Sequence, residues 1–253
     1  VTNEFSKHDA VSLIDQYYQK INISLQQIVE KETNKIKILA EKAYKAIKSN
    51  GLIYAFGTGH SHILVEEIFY RAGGIAPVYP VLIGSLMLHE RAVLSSKLER
   101  IDGIGEAIAS DLPISSRDVV IVFSNSGSNS VVVTFAESTK KIGAYVAAVT
   151  SVEHSKNVTA RNELGKKLYE VADLTIDNHV PYGDASLKMN NITVGPLSTI
   201  CGAFIIDSVM AEIVKLFEKD GIEPPVFLSA NVPQGDEVNA LLVEKYRKYI
   251  PML

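Results

Sequence analysis

The sequence predicts an α/β fold: a parallel sheet covered by helices on both faces, a three-layer doubly wound sandwich preceded by an N-terminal helical arm. Three observations predict it. Short runs of consecutive apolar residues, such as Val119-Val120-Ile121-Val122-Phe123, read as strands buried on both faces. Segments with helical periodicity separate these runs, the alternation that a parallel sheet with crossover helices requires. Turns rich in glycine and serine lie directly between a strand and the helix that follows it.

Taken in order, residues 8–49 read as helix, in one piece or two. Leu13, Ile14, Tyr17 and Ile21 recur at helical spacing, then Leu25, Ile28 and Val29, then Ile36, Leu39, Ala43, Ala46 and Ile47. Asn50-Gly51 supplies a stop. So long an amphipathic arm is expected to pack against a second subunit. Leu52 to Phe56 form a strand ended by Gly57-Thr58-Gly59, and a helix follows over 61–71, closed by Gly73-Gly74. Residues 75–82 hold a second strand that Pro77 and Pro80 make short or place at an edge. Val119–Phe123 is the clearest strand, and a helix over 130–142 follows it, ended by Gly143. Strands are expected over 144–149 and 174–176. Residues 177–191 are polar and aperiodic, an ordered loop beside a site or a plain surface loop. A long core helix over 193–218 and a final helix over 236–248 complete the chain. With no linker or internal repeat, residues 1–253 read as one domain: arm 8–49, α/β core 50–218 and C-terminal helical extension 219–253.

A formal charge of −4 and the lack of a dense basic run give no reason to expect nucleic acid. The partner is a small molecule or another copy of the chain. One cysteine, Cys201, excludes an internal disulfide and fits a reducing, cytoplasmic setting. There the Asn-x-Ser/Thr triplets at Asn22, Asn157 and Asn191 are chance matches. The first residues are polar and charged, unlike a cleavable signal. From Met189 through Ile206 no residue is charged, which approaches the length of a membrane span. Asn190, Asn191, Gly195, Pro196, Ser198 and Thr199 within it favour a buried core helix, so no membrane partner is expected.

Two loops carry chemistry. Gly57-Thr58-Gly59-His60-Ser61-His62 and Ser124-Asn125-Ser126-Gly127-Ser128-Asn129-Ser130 each follow a strand and open a helix. A helix N-terminus presents N–H groups and the positive end of its dipole. Small residues let the backbone approach an anion, and serine hydroxyls donate further hydrogen bonds. Neither loop is a P-loop, and His62 replaces the last glycine of a dinucleotide fingerprint. Ser and Asn are also ordinary cap and turn residues, but an unbroken run from Ser124 to Ser130 exceeds what capping requires.

These paired motifs resemble those of the SIS (sugar isomerase) domain family, which joins a Gly-x-Gly-x-Ser turn after its first strand to a Ser-x-Ser-Gly loop after a later one. Here they are Gly57 to Ser61 and Ser124 to Gly127, with Thr150-Ser151 ending the next strand. The resemblance covers roughly residues 40–218. It implies a five-stranded parallel sheet, a phosphorylated sugar or amino sugar as ligand, no cofactor, and a homodimer or homotetramer. It also implies that Ser124, Ser126 and Asn129 hold the phosphate, with help from Asn125 and Gly127, and that Gly59, Ser61 and Ser151 complete the site. Family members isomerise sugar phosphates, cleave the lactyl ether of N-acetylmuramic acid 6-phosphate, or sense phosphosugars as regulators. Within the family the chain resembles phosphoheptose-isomerase-like proteins and, more distantly, the etherases. Ala185-Ser186-Leu187-Lys188-Met189 is similar to a stretch of the etherases, with its last two residues exchanged.

Isomerisation needs a base for the proton alpha to a carbonyl and an acid for the oxygen. Related enzymes carry a glutamate ten residues after the serine of the first turn; here that position is Arg71, which cannot act as a base. The metal-binding histidine of some isomerases falls near Glu67, so a zinc site of that type is not supported. Glu90 is the preferred base, with His89 second, because the family often supplies a glutamate after the second strand. The alternative for Glu90 is a carboxylate at a helix start, favoured by the dipole. His60 and His62 flank Ser61, as turn residues or as groups aimed into the site, with His60 the better candidate. Glu66 and Glu67 lie one turn away and read as solvated helix carboxylates. An enzyme, isomerase or lyase, and a non-catalytic sensor both remain open. The N-terminal arm lacks the basic patch and the length that a DNA-binding domain needs.

Overall fold

The computed structural model describes residues 12–253; the start of the expected arm, residues 8–11, lies outside them. The arm is one continuous helix, α1 (Leu13–Lys48), rather than two. Ser12 opens it, its hydroxyl accepting from the backbone N–H groups of Ile14 and Asp15. After the Asn50-Gly51 turn comes β1 (Ile53–Gly57), then a 3-10 turn (Gly59–His62) and the short α2 (Ile63–Ile68). The helix expected to reach residue 71 stops at Ile68 because Phe69 is extended and Tyr70 takes a positive φ.

The edge strand β2 (Val78–Val81) follows, shorter than its expected span and paired only with β1, a position that tolerates Pro80. Next come α3 (Leu88–Leu98), kinked at Arg91, and α4 (Ile104–Asp111), neither of which the periodicity resolved. Then β3 (Val119–Phe123), α5 (Ser130–Ile142) and β4 (Tyr145–Thr150) fall within a residue of expectation. Short helices α6 (Val152–Lys156) and α7 (Leu168–Val171) lead to β5 (Leu174–Asp177).

The polar stretch after β5 corrects the expectation of a loop running into a long helix. It contains an antiparallel hairpin, β6 (Ala185–Met189) and β7 (Ile192–Pro196). The β-branched Ile192, Thr193 and Val194 suit a strand, and Gly195 at φ +73° with Pro196 closes it. α8 (Ser198–Lys219) therefore begins five residues later than expected. No helix of the described residues is long and apolar enough to cross a membrane. α9 (Gly235–Tyr246) is the last helix.

The five strands pair in parallel in the order β2-β1-β3-β4-β5. Each central strand is buried on both faces. Ile53, Ala55, Val119, Ile121 and Phe123 meet α1 and α8, whereas Tyr54, Phe56, Val120 and Val122 meet the layer of α4, α5 and α7. The order reverses between β1 and β3, and the register sets Gly57 opposite Phe123. The two serine- and glycine-bearing loops therefore leave the sheet side by side, at the switch point where such sheets bind ligands.

Glu32 ties α1 to the end of β5. Its side chain is buried, and its carboxylate sits 3.2 Å from His179 Nε2 and 2.8 Å from Lys35 Nζ, while accepting from the backbone N–H of Asp177. Removing it strands partners in a dry interface. Glu32→Ala is expected to lower stability by roughly 2–3 kcal/mol. An unchanged urea midpoint would show that this anchor contributes nothing.

Candidate functional site

The cleft at the switch point is lined by His60 and Ser61 from the β1 loop, Ser124 and Asn125 from the β3 loop, and Asn178 after β5. Leu64, Val149, Ser198 and Thr199 close it. Three segments with helical N-termini thus converge: the 3-10 turn leading into α2, α5 and α8. Their dipoles favour an anion. At α8 the protein supplies its own. Asp184, at φ +68°, accepts from the backbone N–H groups of Leu197 and Ser198 at 3.0 and 2.8 Å, and from the Ser198 hydroxyl at 2.7 Å.

The β3 loop is held from within and from below. Ser124 Oγ accepts from the backbone N–H of Gly127 at 3.1 Å, and the Ser128 hydroxyl donates to Ser126 Oγ at 3.2 Å. The carbonyl of Asn125 accepts from Ser151 N and from the Thr150 hydroxyl. Ser128 O accepts from Arg161 N at 2.8 Å and Asn162 Nδ2 at 3.1 Å, pinning the outer side. Gly127 has φ +55°, and a Cβ there would stand 3.1 Å from Leu168 Cβ and 3.2 Å from Thr150 Oγ1. The positive φ favours glycine, and the tight contacts leave a side chain little room. Asn129 caps no backbone N–H with its side chain, and its buried Oδ1 has no hydrogen-bond partner.

The residues expected at the site separate into groups. His60, Ser61, Ser124 and Asn125 line the cleft. Gly59, Ser126, Gly127 and Asn129 shape the loops around it. Ser151 lies fully buried beneath, capping α6 through the backbone N–H of His154 and donating to Val180 O at 2.6 Å. His62 is buried, bonded to the Gly59 carbonyl, with Nε2 3.6 Å from Glu66. His89 is exposed, its ring 6.0 Å from that of His62. Glu90, also exposed, packs its carboxylate over Gly84. Arg71 pairs with the Glu67 carboxylate and carbonyl, away from the cleft lining. Among the described residues no group of three or more His, Cys, Asp or Glu is placed to hold a metal ion.

Two polar residues at or beside this site belong to no motif. Asn178 falls in the polar 177–191 stretch, read as a loop beside a site or a plain surface loop, and Glu99 carries no local sequence signal. Asn178 reaches the site only because β5 ends beside β4. Glu99, at the end of α3, accepts from the Thr58 hydroxyl at 2.7 Å, while its backbone carbonyl accepts from Val131 N in the first turn of α5. It therefore ties the β1 loop to the helix behind the β3 loop. The kink at Arg91 hides the periodicity that would have marked α3.

A doubly wound parallel sheet with paired small-residue loops at its switch point has the crevice in which α/β proteins of this class bind ligands. The chain belongs to the SIS domain family, whose model matches residues 16–151. It is 46% identical to the UPF0309 protein of Geobacillus thermodenitrificans over 243 residues, 95% of this chain and 98% of the relative. A UPF0309 protein of Listeria innocua is 43% identical over 90% of this chain and 94% of its own length. Among solved structures, the chain is similar to a phosphoheptose isomerase from Francisella tularensis, with TM-score 0.55, 12% identity and coverage of 80% of this chain and 96% of that one. It is also similar to the Vibrio vulnificus NanR protein complexed with ManNAc-6P, with TM-score 0.52, 17% identity and coverage of 96% and 71%. At these identities the likeness is one of fold.

Because Gly127 takes a positive φ and a Cβ there would crowd Leu168 and Thr150, Gly127→Ala is expected to cost about 1–3 kcal/mol. Full stability in thermal or urea unfolding would contradict the close approach at Leu168.

Proposed function

We propose that the protein binds a phosphorylated sugar by its phosphate and isomerises it between aldose and ketose forms. The observation that carries this reading is the level exit of the β1 and β3 loops, which brings Ser61, Ser124 and Asn125 into one cleft at helix N-termini. The phosphate sits over the β3 loop, with Ser124, Ser126 and Asn129 and the backbone of Asn125 and Gly127 as its cradle. Gly59 and Ser61 face it from the β1 loop, and Ser151 supports it from below. That NanR was solved with ManNAc-6P and that the Francisella protein is a phosphoheptose isomerase supports both a phosphosugar ligand and isomerase chemistry.

For the proton transfers the reading assigns Glu99 as base, since its carboxylate is held by Thr58 beside Gly59. His60 on the cleft wall serves as the acid partner. Glu90 and His89 are the second pair, on the exposed start of α3. A panel of pentose, hexose and heptose phosphates, scored by thermal stabilisation and then by NMR for conversion, tests the reading. Stabilisation with conversion is expected. Stabilisation without conversion would favour a sensor, and no stabilisation would remove the phosphosugar site. Glu99→Gln is expected to reduce turnover at least ~100-fold while sparing binding. If Glu90→Gln does so instead, the base is Glu90.

The reading includes a homodimer built on α1. Ile14, Tyr18 and Val29 are exposed on this helix, Ile14 to 81%, and Ile192 and Val194 of the hairpin are exposed as well. A groove between α1 and α8, lined by Val29, Thr33, Ile36 and Phe204, continues this apolar face. Patches of this kind mark association surfaces. Light scattering is expected to give twice the chain mass, and Val29→Asp to shift it toward one. A monomer at micromolar concentration would remove the interface.

A further inference from the structure

We infer that Asn178 is a positioning residue that sets the polarity of the phosphate cradle through the side chain of Asn125; the inference rests on the phosphosugar reading of the same cleft. Carboxamide oxygen and nitrogen are interchangeable by a half turn, so their orientation has to be fixed by neighbours of known polarity. Here one neighbour is unambiguous. The backbone N–H of Val180 can only donate, and it meets Asn178 Oδ1 at 3.1 Å. That identifies the other terminal atom of Asn178 as the nitrogen, 3.0 Å from the terminal atom of Asn125 that faces it. A nitrogen that donates demands an acceptor, so the facing atom of Asn125 is Oδ1. Its Nδ2 is therefore the terminal atom not turned to Asn178, a donor on a residue that lines the cleft.

The surroundings keep this assignment from relaxing. Asn178 is only 3% exposed, and its own N–H donates to the Thr150 carbonyl at 3.0 Å. The Asn125 carbonyl is held by Ser151 and Thr150. Both backbones are thus clamped to the end of β4, leaving only the side-chain amides to choose a direction. The chain Val180 N–H, Asn178, Asn125 runs donor to acceptor, so each bond polarises the next and the Asn125 NH₂ is the donor that the relay offers to an oxygen anion. The cradle gains a fixed donor without a buried cation, which suits a loop with no lysine or arginine between Ser124 and Ser130.

Asn178→Asp tests the relay. The introduced carboxylate keeps an acceptor for Val180 N–H but offers Asn125 a second acceptor. Asn125 then turns round, giving its NH₂ to that carboxylate and its carbonyl to the cleft. Titration with inorganic phosphate is expected to show at least ~ten-fold greater loss of affinity from this substitution in the wild-type background than in Asn125→Ala. In that second background only the added charge acts, which makes the comparison a double-mutant cycle. Equal losses in the two backgrounds would overturn the relay while leaving the phosphate site standing. Failure of the wild type to bind phosphate or any phosphosugar would overturn the site and the relay together. A second measurement needs no variant at position 178. The Asn125 side-chain NH₂ pair, assigned by its disappearance in Asn125→Ala, is expected to shift on phosphate addition in the wild-type NMR spectrum. An unmoved Asn125 pair under saturating phosphate would overturn the inference.

Discussion

The site depends on the parallel pairing of β1 with β3, which sets Gly57 level with Phe123. These strands are adjacent in space but far apart in sequence, and the strand order reverses between them. Their crossover helices therefore cover opposite faces of the sheet, and the loops diverge to leave a crevice. A shift of one residue would exchange the two faces of β1, placing Tyr54 and Phe56 where Ile53 and Ala55 now meet α1 and α8. The hydrophobic layers on either face thus fix the height of the two loops.

On that frame the β3 loop is tied by hydrogen bonds with no ligand needed to make them. Ser124 and Ser128 bond within it, Thr150 and Ser151 hold it from below, and Arg161 and Asn162 hold its outer side. Donors already in place need little reordering when an anion binds, so less of the interaction energy is lost as entropy. The helix ends nearby differ in what they already hold. Asp184 accepts from backbone N–H groups at the N-terminus of α8, whereas at the start of α5 the Asp102 carboxylate accepts from the Ser130 hydroxyl and the Glu99 carbonyl from Val131 N.

Much of the fold was legible in the residues because the strands are apolar runs and their ends carry small polar turns. Val119–Phe123 and the helix after Ser130 needed no tertiary information. The hairpin from Ala185 to Pro196 was not legible. Its uncharged residues continue into α8, and neither alternation nor helical period separates the two. α2 was overextended because the positive φ at Tyr70 belongs to a residue type that rarely adopts one. At the site, Ser61, Ser124 and Asn125 were visible as loop residues. Asn178 was covered only by the reading of 177–191 as a loop beside a site or on the surface, and Glu99 by none, since only the packing of α3 and β5 against the central strands brings them there.

The central claim, that the β1 and β3 loops together hold a phosphate, is tested most directly by a crystal structure with a stabilising phosphosugar bound. The account predicts the phosphate over Ser124–Asn129, with Ser61 facing it and the Asn125 amide nitrogen donating to it. A phosphate seated elsewhere, with this loop unoccupied at full ligand occupancy, would contradict it.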